Sequence, residues 1–433
     1  MAIPTTARRH SGDQQSARAL RRWRAALVTV FFGAGIAVAS WVTRTPAIRD
    51  ALHASTAEMG LIIGGSSVGS IVGISLGSPL VARRGARFVI VTGMSCVALG
   101  LSVMALGVVV RHSVVVALGL AMFGYGMGTG EIGNNVSGVE LEALVGRSVI
   151  PGLHGSYSLG TVIGGVAGLV ANRWAVPVAV HLLLAATAIA AAAIFWVSRQ
   201  VRPDTGRNTR RAPGGAASST PSDGARAPIA AGRQRRVGWL DRRLVGLAVI
   251  ILGMALAEGS ANDWLPLIVV DGYGSSAAVG SIVFSFFGLA MAIGRLGGGG
   301  VIDRFGRAPV MRASAVVAAV GIVTVIVAPT LWFAGAGVLL WGVGCALGFP
   351  VALSAAGENS AFAAQRAGFV ATAGYAAFLI GPPVLGFLGQ RIGIRHAIIV
   401  VLAVVLATMF VAGSARPAPR RDVVSDRPAE VPG

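Results

Sequence analysis

The chain reads as an all-α polytopic membrane protein with twelve transmembrane helices in two pseudo-symmetric six-helix halves. Three observations predict this. The 433 residues are 54% hydrophobic and only 12% charged, with a mean hydropathy of +0.74. Soluble chains carry about a quarter charged residues, so this one has too little polar surface to cover itself in water. Apolar stretches of bilayer length, about 20 residues, fall near 25–43, 59–81, 88–110, 114–137, 150–172, 177–198, 244–266, 277–301, 309–328, 331–354, 368–389 and 393–413. Finally, a short turn between two long apolar runs occurs twice, about 220 residues apart, as a duplicated membrane unit requires. Barrel strands are half as long and alternate in polarity; these runs do not, so they are helices.

Taken in order, residues 1–24 form a basic tail. Arg21, Arg22 and Arg24 precede the first apolar run, and Ala37-Val38-Ala39 resembles a signal-peptidase site. The run continues to Val42, too long for a signal peptide's apolar region, so it is expected to be the first span. Residues 25–198 hold six spans and 244–413 six more. The 199–243 segment between them is rich in Arg, Pro, Gly, Ala and Ser and is expected to be a disordered linker. Residues 414–433 form a second tail. The net charge of +19 comes from Arg, most of it in the tails, the linker and alternate short loops. That bias places both termini and the linker in the cytoplasm. No folded basic face with interleaved aromatics accompanies the charge, which argues against nucleic acid. Cys96 and Cys345 lie inside spans with no metal or disulfide spacing and read as packing residues. Glycines crowd the spans, where small residues let helices approach closely. Pro382-Pro383 is expected to break or bend the eleventh span.

The second copy of the turn runs Gly298-Gly299-Gly300-Val301-Ile302-Asp303-Arg304-Phe305-Gly306-Arg307. The first runs Gly77-Ser78-Pro79-Leu80-Val81-Ala82-Arg83-Arg84-Gly85-Ala86. Ahead of each turn, Ser55 and Gly60 lie five residues apart, as do Ser275 and Gly280. The second turn resembles the G-x-x-x-D-R-x-G-R signature of the major facilitator superfamily. Gly299, Asp303, Arg304, Gly306 and Arg307 match it. The first copy keeps Arg83 and Gly85 but has Ser78, Ala82 and Ala86 where the signature has Gly, Asp and Arg. In that family the acid pins the inward gate, so the resemblance implies a gate latch at the second turn and a missing one at the first. A finer resemblance, to the MosC/YbjJ-like branch, rests on the stretch from Ala39 through Trp41 and Arg44 to Arg49, on Asn135 to Glu140, on Gly152-Leu153-His154, on Glu258 with Asp263-Trp264, and on Gly381-Pro382-Pro383.

A charge in a bilayer core invites a functional reading. Only Glu131 and Glu258 lie well inside spans, the fourth and seventh; the resemblance makes both cavity helices. They are the candidate proton-coupling groups, each with a protonated, merely hydrogen-bonded carboxyl as its alternative. Aligning the halves sets Ser40 opposite Glu258. Candidate solute-binding residues are Asn134, Asn135, His154, Trp41, Arg44, Asp263 and Trp264. Arg44 could meet an anionic solute group or pair with Asp263, but ordinary interface anchoring is the favoured reading for it and Trp41, and Trp264 and Tyr273 read mainly as interface aromatics. Arg295, near the cytoplasmic end of its span, could snorkel to headgroups. No nucleophile elbow, phosphate loop or metal spacing is present, so no cofactor, metal or enzymatic activity is expected.

The leading reading is a monomeric secondary transporter that moves a small solute, sugar- or polyol-like by association with the branch, with protons as partners. Drug or metabolite efflux competes; Gly165 stands where many such antiporters have Pro after G-x-x-x-G, as the family resemblance implies. A membrane sensor or scaffold that transports nothing is the alternative of another class.

Overall fold

The computed structural model describes residues 5–146, 149–207, 241–358 and 363–416. The middle of the expected linker and most of the second tail lie outside these residues. The long helices are α1 (Thr5–Val42), α2 (Thr56–Arg84), α3 (Ala86–Val109), α4 (Ser113–Val145), α5 (Ile150–Arg173), α6 (Val178–Gln200), α7 (Arg242–Tyr273), α8 (Ala277–Phe305), α9 (Arg307–Val327), α10 (Leu331–Ala356), α11 (Ala363–Ile392) and α12 (Ile394–Ala415). Among the described residues, eleven helices are long and apolar enough to cross a bilayer. The twelfth, α5, spans about 36 Å at 1.5 Å per residue but carries more polar residues. A short helix, Thr45–Leu52, joins α1 to α2.

Each half packs by small residues. A Cβ at Gly73 or Gly128 would meet the backbone of the facing helix, which seats α2 directly on α4. Between the halves, α5 lies on α8 and α2 on α11. At the second contact a Cβ on Gly60 would stand 2.7 Å from the Pro382 carbonyl and 2.9 Å from the Gly386 Cα. The α11 helix runs unbroken through Pro382 and Pro383, so the expected break is absent. Its prolines lie where α2 closes over them.

The halves echo each other in backbone detail. Gly85 (φ 85°, ψ 160°) and Gly306 (φ 81°, ψ 162°) turn the two motif corners with left-handed torsions, which glycine adopts without steric cost. Ser55 caps α2 through the Glu58 N–H, and Ser276 caps α8 through the Val279 N–H. Ser276, not Ser275, is therefore the true counterpart of Ser55, at the same interval that separates Gly85 from Gly306.

At the start of α7, the Asp241 carboxylate accepts the Arg243 N–H at 3.0 Å and pairs with Arg366 at 2.7 Å. Burial raises its pKa, but the hydrogen bonds from Arg366 and Arg243 outweigh this and hold it below its ordinary value. This stabilisation is full above the unfolded pKa of about 4 and fades as pH falls through the depressed folded value. Asp241→Ala is expected to cost about 1 kcal/mol, a typical lost N-cap, in a thermal unfolding series. The difference from the parent chain should shrink below about pH 4.

Candidate functional site

Helix periodicity builds a chamber wall. On α8, Phe284, Phe287, Gly288, Met291 and Arg295 recur at three- and four-residue steps and so share one face. On α7, Glu258 and Asn262 are four apart; on α5, Tyr157, Ser158 and Thr161 lie within one turn. These ten residues line a small hollow that is partly open to solvent. Glu258 stands halfway along α7, and its Oε1 accepts a 2.7 Å hydrogen bond from the Arg295 guanidinium. Arg295 therefore turns inward to a carboxylate. The expected reach to headgroups is not made, because an unpaired Glu258 facing it would cost more than the pair does.

Further charges converge on this wall. Tyr157 is within electrostatic reach of Glu258, Arg295, Glu131 and Asp263. His154 feels Arg295 and Glu258, and its ring meets Phe31 edge-on at 5.0 Å. Glu131 interacts with Glu258 across the halves and with Tyr375 on α11. It lies deep in the body yet its side chain is solvent-accessible, as a group facing an open chamber must be. Glu131, Glu258 and Asp263 thus all lie within electrostatic range of Tyr157, which shares α5 with His154.

The other candidates go elsewhere. Arg44 is 4% exposed and donates to the Val176 carbonyl at 2.5 Å. It ties the end of α1 to the α5–α6 loop, and the suggested pairing with Asp263 is not formed. Trp41 is buried edge-on against Phe123, and Trp264 is fully buried; neither sits at a lipid interface. Tyr273 donates to the Val325 carbonyl at 2.5 Å, under the Arg395 guanidinium. Asn134 is buried with its Oδ1 unpartnered, and Asn135 is half-buried one residue on. Ser40, set opposite Glu258 in the repeat, donates only to the Ile36 carbonyl of its own helix.

The motif corners lie at the end of the bundle that carries the linker. Asp303 and Arg304 are exposed there, as is Arg83. Gly299 faces open space. Arg307 pairs with Glu358, which also binds Arg243 at 2.8 Å. That hub joins the starts of α7 and α9 to the end of α10. The far end is clasped across the halves. Arg49 pairs with Asp271, and the Gln390 side chain accepts the Thr56 N–H at 3.0 Å. The Asn172 amide donates to the carbonyls of Thr43 and Ala277 and to Ser281. These contacts tie the two halves together at the end away from the linker.

Sequence reasoning missed Arg295 as a partner, Tyr157, Asn262 and Asn172. The signal for Arg295 was present: it continues the stripe set by Phe284, Phe287 and Met291.

The chain is 28% identical over 387 residues to an uncharacterised MFS-type transporter of Yersinia pestis, covering 89% of this chain and 93% of that protein. It is 24% identical over 378 residues to the membrane protein MosC of Rhizobium meliloti, covering 86% and 85%. Its fold matches the crystal structure of a D-xylose–proton symporter at a TM-score of 0.66, with 14% identity over 92% of this chain and 96% of that one. The family model of the Major Facilitator Superfamily matches residues 25–365 and 269–432. With twin six-helix halves around a charged chamber, this multi-pass membrane protein belongs to the Major Facilitator Superfamily and is a transporter by family and fold.

Proposed function

We propose that this chain is a proton-coupled secondary transporter for a small hydroxylated solute of sugar or polyol type, working by alternating access in the cytoplasmic membrane with both termini and the linker inside. The observation that carries this reading is the Glu258–Arg295 pair at the mid-depth of the body, beside the polar side chains of Tyr157, Ser158, Thr161 and Asn262. A carboxylate held by one arginine in a low-dielectric chamber is a two-state device. Ionised, it binds Arg295; protonated, it releases Arg295 to donate to a solute oxygen. The rest of the wall suits a polyol. Tyr157, Ser158, Thr161 and Asn262 can each donate and accept, while the buried Phe284 and Phe287 back the wall with apolar rings. The likeness to a xylose–proton symporter supports the solute class, and the Arg bias supports the orientation.

The test is purified protein in liposomes with a trapped pH dye, challenged with D-xylose, D-glucose and myo-inositol. At least one should drive proton uptake into the lumen and exchange with its labelled form. If none moves protons or exchanges, the solute class is wrong.

A further inference from the structure

The two motif corners have the same backbone but are held by different chemistry. At both, the glycine N–H bonds the helix before it at 2.8 Å, Gly85 to Val81 and Gly306 to Ile302. At both, the residue four further on reaches back to the glycine carbonyl at 3.4 Å. Beyond that they part. The α9 corner is held by ions, Arg307 to Glu358 to Arg243. The α3 corner has Ala86 where Arg307 stands and so lacks the motif arginine of that hub.

The head of the inter-half segment sits there instead. Ala86 is the first residue of α3, so its N–H has no partner within the helix. It donates to the Thr205 carbonyl at 2.8 Å. Val201 and Thr205 are 2% exposed. The Arg202 guanidinium lies 5.2 Å over the Trp23 ring, whose indole N–H donates to Ser137 on α4 at 2.9 Å. Gly206 takes φ 71° and nests so close that a Cβ would stand 2.7 Å from Val81 and Val136. Residues 201–207 thus touch α1, α2, α3 and α4.

We propose that residues 202–207 are the latch of the N-terminal half, a backbone strap that replaces the ionic hub kept by the C-terminal half. The first six helices are held at their linker end by a segment continuous with the linker itself. Tension or a bound partner on the linker therefore reaches the gate corner directly.

Amide hydrogen exchange on the full-length protein in lipid nanodiscs tests this. Raising salt from about 50 mM to about 1 M shortens electrostatic reach to about 3 Å. Exchange at 306–310 should then accelerate while exchange at 85–89 holds. Gly206→Val, strained and clashing, should accelerate exchange at 85–89 by about tenfold, a local opening, and leave 306–310 alone. Arg202→Ala removes only the contact over Trp23 and should give a smaller acceleration at the same residues. It serves where Gly206→Val does not fold. Salt-sensitive exchange at 85–89, or unchanged protection there in the folded variants, overturns the proposal.

Discussion

Glu258→Gln is expected to reduce solute-driven proton uptake by about a hundredfold or more, the scale for loss of a positioned proton-transfer group, while solute exchange continues. Gln keeps the shape of Glu without its charge, so Arg295 stays free for the solute as it is when Glu258 is protonated. It has no proton to release, so the empty protein can no longer return with a carboxylate bound to Arg295. Exchange needs only the loaded protein to rock back and forth, and that step asks nothing of the carboxylate. Loss of uptake with retained exchange separates coupling from mere structure. Arg295→Ala differs: it strands a carboxylate in the chamber at about 2 kcal/mol, the cost of a half-removed charged pair, and should lower thermal stability as well as transport. Proton uptake that survives both Glu131→Gln and Glu258→Gln would remove these carboxylates from the mechanism.

Gly124→Val should be the most damaging single change to the fold. A Cβ at Gly124 would drive into the Ser66 carbonyl of α2, and neither helix backbone can yield without parting the pair. Overpacking of this kind costs about 3 kcal/mol or more, and Gly69 on the opposite helix is equally enclosed. Gly299→Ala is the control. Gly299 belongs to the signature turn yet faces open space, so its variant should stay within about 0.5 kcal/mol of the parent. Thermal midpoints in detergent by size-exclusion survival give the comparison. Equal midpoints for the two variants would mean that the α2–α4 contact is looser than its geometry.

What the sequence made legible follows from what a bilayer forces. Span length and the sparseness of charge are imposed by the hydrocarbon, so the twelve helices, the twin halves and the two deep acids were readable residue by residue. Partners were not. Arg295 and Glu258 meet because two helices tilt and rotate into register, and neither angle is written in one segment. Arg44 shows the converse error: a charge near a span end invites a solute, yet a loop carbonyl at Val176 takes it. Pro382-Pro383 likewise left a break or a bend open, since whether a proline interrupts a helix depends on whether a neighbour covers the freed carbonyls. The strap at 202–207 escaped because its composition is that of a linker; only the unpartnered first N–H of α3 required something to be there.

The paired glycine corners bear on how the two copies have drifted apart. What both retain is an angle of the main chain, one that only a residue without a side chain takes readily. Charges secure it in one copy and a carbonyl in the other. The same bend is thus compatible with two kinds of fastening.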